Sequence, residues 1–380
     1  MILSIAAALS FAIWIYLLLG RGGFWRERAL PPAPAPARWP SVVAVVPARD
    51  EAPYVGEAVG SLLRQDYPGD FSVILVDDHS TDGTAEVARR AAVDAGAAER
   101  LTVLSGRELP AGWTGKLWAL DQGVQQLSRA ETPPELVLLT DADIRHHRTN
   151  LRELVARIES GFDLASLMVR LRVENLAESF LIPAFVLFFE MLYPFGWIRD
   201  PRRRTAGAAG GCVLLRREAL LRIGGLAAIR GEIIDDCALG RAVKRGGPIW
   251  LGLSAETRSL RPYPALGDIW RMVARTAYAQ LGYSPAMLLG TVVGLVLTFL
   301  VPVVAAASDA EAAPLGLAAW ACMACAYLPT LQFYGRSPAW APALPAVAVV
   351  YIAATIDSAW RHWQGKGGEW KGRIQQQGPA

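Results

Sequence analysis

Two apolar stretches frame this chain. Residues Met1–Gly20 form an uncharged apolar run, and residues 285–358 are apolar again, while the segment between them is mixed and charged. A run of about 20 apolar residues is long enough to cross a bilayer as a helix. The fold must therefore combine membrane segments at both ends with a polar, globular middle. A hydrophobic content of 53% beside a charged content of 19% agrees with that division. The net charge of only +3 gives no basis for nucleic-acid binding.

The first run reads as an uncleaved anchor rather than a signal peptide. No Lys or Arg precedes it, whereas Arg21, Arg26 and Arg28 follow it. That pattern puts its C-terminal side in the cytoplasm. Residues 21–40 are a basic, Pro-rich linker. Its Leu30–Pro40 stretch (LPPAPAPARWP) suits a semi-rigid spacer that lifts the next domain off the membrane.

From Ser41 onward, short β-branched runs alternate with helical spacing: SVVAVVPA, a helix over 54–65, FSVILVDD, a helix over 84–95, LTVLSG, a helix over 116–127, then ELVLLTDAD. A βαβαβαβ order predicts an α/β domain with a mostly parallel sheet and helices on both faces. Functional residues then gather at the carboxyl ends of the strands. Residues 179–198 are apolar and aromatic but interrupted by Pro183, Glu190 and Pro194, which suits an interfacial helix or a roof over a site, with a full span as the alternative. The Arg199–Arg204 run that follows is either a solvated loop or a contact for anionic lipid headgroups.

Three further apolar runs, 285–307, 314–333 and 339–359, are expected to span. The SDAEAA loop lacks positive charge, as an outside loop should, and GRSP carries Arg336, as an inside loop should. The tail at 360–380 is basic, yet three spans would put it outside, so loop charge alone leaves the span count open. Cys322 and Cys325 make a C-x-x-C inside an apolar run and read as small residues of a membrane helix. Four cysteines are too few for a disulfide scaffold.

Carboxylates follow strand-like runs in three places: Asp77 and Asp78 after VILV, Asp141 and Asp143 after VLLT, and Asp235 and Asp236 after GEII. Together they suit transfer of a sugar from a nucleotide donor. That reaction needs a divalent cation against the leaving diphosphate, a grip on the nucleoside, and a base for the acceptor hydroxyl. Asp143, with Asp141 beside it, is the candidate for Mg²⁺ or Mn²⁺. Asp78 is the candidate for the nucleoside and Asp236 for the base. Asp77 has an alternative use, bonding the turn amides of Ser80 and Thr81. His146 and His147 follow the D-x-D, where lone histidines are mostly structural. Trp113 and Trp118 flank Lys116, to stack on base or sugar or to fill the core.

These residues stand in segments that resemble the family 2 glycosyltransferases, whose catalytic domain has the GT-A fold. The segments are VVPARDE (45–51), VDDHSTDGT (76–84), GKLWALDQG (115–123), TDAD (140–143), GGCVLLRREAL (210–220) and DDCALGRAVKRG (235–246). The resemblance spans about 41–280. It implies that Glu51, Asp77, Asp78, Lys116 and Asp141 serve the donor, that Asp143 holds the cation, and that Gly210 and Gly211 lie on the acceptor side. Asp236, with Asp235 before it, takes the place of the E-D motif, which here reads Asp-Asp. The Q-x-x-R-W element survives only as MVART (272–276), leaving Arg275 as a phosphate contact. Loss of its Gln and Trp favours single-sugar transfer over a processive polysaccharide synthase.

The anchor–domain–apolar-tail layout and the WKGR at 370–373 look like the hopene-associated group. That likeness implies a membrane lipid acceptor, a UDP-sugar as first expectation, inversion at the anomeric carbon, and an inner-membrane protein with its catalytic domain facing the cytoplasm. A non-catalytic membrane scaffold is the reading from a different class; the complete carboxylate set argues against it.

Overall fold

A computed structural model describes residues 1–27, 31, 33–308, 311–370 and 373–374. The chain divides into two compact units. One comprises Met1–Arg28, Arg172–Gly196 and Pro262–Gly368; the other comprises Ala29–Leu171, Trp197–Arg261 and Glu369–Ala380. The segment 41–280 is therefore shared, since 172–196 and 262–280 belong with the apolar helices.

The second unit is built on an eight-stranded sheet. Its strands are β1 (Val42–Ala48), β2 (Phe71–Asp77), β3 (Leu101–Ser105), β4 (Leu136–Thr140), β5 (Ile144–Arg145), β6 (Leu164–Arg170), β7 (Cys212–Arg216) and β8 (Ile249–Ser259). Their order is β3-β2-β1-β4-β7-β6-β8-β5. The first four are parallel, as the alternating sequence predicts, with Val42 opposite both Phe71 and Leu136. At β7 the sheet turns mixed: β7 runs antiparallel to β4 and β6, β6 is parallel to β8, and β5 closes antiparallel on β8.

Both faces are covered, because strands buried on both sides present apolar residues in both directions. Val42, Ala44, Val46 and Ala48 point one way, into a core with Val55, Val59 and Leu62 of the Ala52–Leu63 helix and Ala88 and Ala92 of the Thr84–Asp94 helix. Val45 and Val76 point the other way, against the Gly115–Leu127 helix. Gly123 permits that contact, since a Cβ there would come within 2.3 Å of Val45 Cγ1.

The other unit is helical. Ile2–Gly20, Pro285–Ala306, Ala313–Phe333 and Pro338–Trp363 are each long and apolar enough to cross a membrane. They expose large apolar side chains, among them Ile5, Leu9, Leu289, Val293, Leu317 and Ile356, as a lipid-facing surface requires. Residue Pro302 has no N–H for the carbonyl four residues back, that of Thr298. The Trp14 indole N–H donates to that carbonyl at 2.8 Å, and its ring meets Phe299 edge to face with centroids 5.6 Å apart.

The expected aromatic helix at 179–198 is realised as Leu176–Leu192, started by an Asn175–Glu178 capping box, followed by a five-residue helix, Phe195–Arg199. Pro183 is accommodated inside it. Cys322 and Cys325 are free thiols within the Ala313–Phe333 helix. Of the WKGR segment, Lys371 and Gly372 lie outside the described residues, as do Arg28, Leu30 and the tail beyond 374.

Candidate active site

The carboxyl ends of β1, β2 and β4 carry Glu51, Asp77, Asp78, Asp141 and Asp143, whereas the GEII run expected to be strand-like before Asp235 and Asp236 is a turn that leads into a helix. Beyond β1, Glu51 precedes the Ala52–Leu63 helix and is buried. Its amide donates to Thr84 Oγ1 at 2.8 Å, and the Ala52 amide donates to Asp82 Oδ2 at 2.9 Å. These bonds join the loop after β1 to the loop after β2. Asp77 accepts the Ser80 amide at 3.1 Å, which is the turn use foreseen for it, while the Thr81 amide goes to Asp50 instead. Asp78 is almost fully buried. The Arg49 guanidinium donates to its main-chain oxygen at 2.7 Å, and His79 Nδ1 lies 3.2 Å from its Oδ1.

A second group forms around Lys116. Thr114 caps the Gly115–Leu127 helix by accepting the Leu117 amide, and so fixes Lys116 in the first turn. Its ammonium lies 2.9 Å from Asp141 Oδ1 and 3.2 Å from Asp235 Oδ2. Burial pulls the Lys116 pKa down, but Asp141, Asp235 and Asp236 outweigh it and hold the ammonium above its usual value. For Asp141, burial dominates and raises the carboxyl against the opposing pull of Lys116.

Asp235 and Asp236 open the Asp235–Lys244 helix, where the positive end of the helix dipole favours carboxylates. Asp236 accepts the Gly210 amide on Oδ2 at 2.8 Å and the Cys237 amide on Oδ1 at 2.7 Å. Its pKa is raised to about 6, first by burial and then by Asp235, with Lys116 and the two amides opposing. Lys116, Asp141, Gly210, Asp235 and Asp236 line one small recess, floored by apolar side chains such as Leu139 and Val213. Gly211 adjoins it, its carbonyl accepting from Thr140 Oγ1 at 2.7 Å.

Asp143 is not in the Lys116 group. Its Oδ2 takes Arg261 Nε at 2.6 Å, and Arg261 Nη2 reaches Glu51 Oε1, also at 2.6 Å. One guanidinium thus bridges the D-x-D carboxylate and the carboxylate beyond β1. Its pKa is raised, because Asp143 and Glu51 outweigh the effect of burial. Arg261 escapes sequence reasoning: the only local signal is a basic residue after a strand and before Pro262. The antiparallel pairing of Ile144 with Ser259 brings it to Asp143.

Arg275 belongs to the other unit, exposed on the Leu266–Gln280 helix. His146 is no ligand. Its Nε2 meets Thr140 Oγ1 at 2.9 Å, its Nδ1 meets Asn150 at 3.0 Å, and burial lowers its pKa to about 3. His147 bonds Thr149 Oγ1 at 3.0 Å. Trp113 and Trp118 pack on each other edge to face, with centroids 5.2 Å apart. Among the described residues no three His, Cys, Asp or Glu side chains converge as a ready metal cage.

A family model described as "Glycosyltransferase like family 2" matches residues 40–279. Comparison with curated proteins finds no match. Among solved structures, the chain is similar to the mannosyltransferase PcManGT from Pyrobaculum calidifontis in complex with GDP-Man and Mn²⁺. That match has 22% identity over 94% of this chain and 99% of that chain, with a TM-score of 0.59. Glucosyl-3-phosphoglycerate synthase from Mycobacterium tuberculosis, in complex with Mn²⁺, UDP-Glc and phosphoglyceric acid, matches at 20% identity over 64% of this chain and 79% of that chain, with a TM-score of 0.42.

Proposed function

The chain belongs to glycosyltransferase family 2, and on that premise we propose that it moves one sugar from a nucleotide-sugar to a membrane lipid, with inversion at the anomeric carbon. The fold is of the GT-A type expected from the sequence. The observation that carries the mechanism is Asp236: a half-buried carboxylate, oriented by two amides, in the same recess as Lys116 and Asp141.

The donor set fits a divalent cation. Lys116 pairs with Asp141 and Asp235, Arg261 pairs with Asp143 and Glu51, and Asp236 stands in the same recess as Lys116, so the carboxylates outnumber these two cationic side chains. An anionic diphosphate entering such a site needs further positive charge. Mg²⁺ and Mn²⁺ take carboxylate oxygen together with phosphate and water rather than a full protein cage. Asp143 and Asp141 would hold the cation, which supplies neutralisation of the leaving diphosphate.

Lys116 positions the donor's phosphates, and Asp78 and Glu51 grip the nucleoside. Asp236 accepts the proton of the acceptor hydroxyl as that oxygen bonds the anomeric carbon and the bond from that carbon to the diphosphate oxygen breaks. A single displacement inverts configuration. A carboxylate poised near pH 6 suits a general base at neutral pH.

A lipid acceptor is supported by the four apolar helices carried on the same chain, and the hopene-associated group is the finer assignment that we favour. Arg21 and Arg26 directly after the first helix support a cytoplasm-facing catalytic unit in the inner membrane. The PcManGT complex makes GDP-sugars as worthwhile a trial as UDP-sugars.

The test is a comparison of host lipids with and without Asp236→Asn, together with hydrolysis assays across UDP- and GDP-sugars with Mn²⁺. A glycolipid that vanishes in the variant identifies both substrates. Unchanged lipids and no donor turnover refute the proposal.

A further inference from the structure

One arginine joins two of the carboxylates proposed to serve the donor. Arg261 spans two carboxylates, with Nε to Asp143 at 2.6 Å and Nη2 to Glu51 at 2.6 Å, and its guanidinium lies 5.4 Å from the centre of the Tyr54 ring. Both carboxylates are mostly buried, whereas the arginine side chain is 31% exposed and so has somewhere to go. The backbone around it is held: the Leu260 amide donates to the Asp143 carbonyl at 2.8 Å, and the Arg261 amide lies 3.3 Å from Ser259 Oγ. The side chain can therefore leave without unzipping the strand.

We propose that Arg261 is a positioning residue that occupies Asp143 in the donor-free protein and must exchange that carboxylate for a divalent cation when donor binds. The inference rests on Asp143 as the cation carboxylate in the function proposed above. A guanidinium held on Oδ2 and a divalent cation on the same Asp143 carboxylate repel each other, so Arg261 and the metal compete. A guanidinium displaced from a carboxylate is well suited to a diphosphate, because both offer paired oxygens to its fork. Cation without nucleotide then binds weakly. Cation with nucleotide binds well, because the diphosphate gives the released arginine a new partner. The latch makes binding of metal and donor cooperative.

The experiment titrates purified full-length protein with Mn²⁺ alone and with Mn²⁺ plus GDP or UDP, reading free Mn²⁺ by electron paramagnetic resonance. Arg261→Gln is expected to tighten binding of Mn²⁺ alone by about tenfold or more, the scale of one charged hydrogen bond removed from competition. It should also shrink the gain from nucleotide. Arg261→Lys keeps a charge and should stay close to wild type in Mn²⁺ alone.

An Arg261→Gln protein that melts like wild type yet binds Mn²⁺ alone no more tightly overturns the latch. Asp143→Asn separates the two claims. If it abolishes Mn²⁺ binding while Arg261→Gln changes nothing, the cation site stands and the latch is wrong. If Asp143→Asn leaves Mn²⁺ affinity intact, the cation site and the latch fall together.

Discussion

Gly210 presents its amide to Asp236 Oδ2 at 2.8 Å, and a side chain at this position would fit tightly. A Cβ there would stand 3.2 Å from Lys116 Nζ and 3.3 Å from Asp236 Oδ2. The loop before β7 therefore orients the carboxylate and leaves little room for a side chain beside it. Gly210→Ala should shift Asp236 and Lys116 slightly and lower kcat by less than the roughly hundredfold that misplacing a reacting group by about 1 Å costs. Asp236→Asn should lower transfer by about 10²–10⁴-fold while donor binding persists. Steady-state kinetics with calorimetric donor binding checks both. Near-normal turnover in Asp236→Asn would remove Asp236 from the role of base.

The acid limb of the rate profile follows from the same carboxylate. Asp236 must be ionised to accept a proton, and its pKa is raised to about 6. Activity should therefore fall as pH drops through about 6, well above the usual aspartate range. Asp235 is one cause of the raised value, so Asp235→Asn should move the limb to lower pH. Lys116 opposes the rise, so in Lys116→Met the residual activity should have its limb at higher pH. Profiles of kcat for the three proteins decide the matter; limbs that coincide would show that another group titrates.

The D-x-D pair divides its work between two networks, Asp141 with Lys116 and Asp143 with Arg261. Asp143→Ala should abolish the Mn²⁺ dependence of donor binding, and with it most of the affinity. A donor affinity that still rises with Mn²⁺ in this variant would place the cation elsewhere.

How far the sequence carried this reading depends on how local each signal is. VILV and VLLT are apolar runs ending in aspartate, and a parallel strand buried on both faces has that form, so β2, β4 and their carboxylates were legible. The strands β6, β7 and β8 were not, because LASLMVR, CVLLR and IWLGLSAETRS announce no alternation with helices and pair by mixed topology. Arg261 was the hardest to foresee. It meets Asp143 across 118 residues, through a strand, β5, only two residues long. The histidines after the D-x-D read as structural, and for His146 the bonds to Thr140 and Asn150 give the reason.

The anchor helix offers a test that does not depend on catalysis. Pro302 has no N–H to offer the Thr298 carbonyl four residues back, and the Trp14 indole donates to that carbonyl at 2.8 Å in the buried interior of the helical unit. Trp14→Phe keeps an aromatic ring for Phe299 but loses the N–H and part of the ring volume. We expect the hydrogen bond to account for about 1 kcal/mol of the loss, in the range of a single buried hydrogen bond between membrane helices, with a cavity cost added to it. In Pro302→Ala the alanine N–H can serve the carbonyl, so the tryptophan donor should matter less there. The double-mutant cycle, read as thermal stability in detergent, isolates that coupling. Equal costs of Trp14→Phe with Pro302 and with Ala at that position would mean that the indole packs without serving the Thr298 carbonyl.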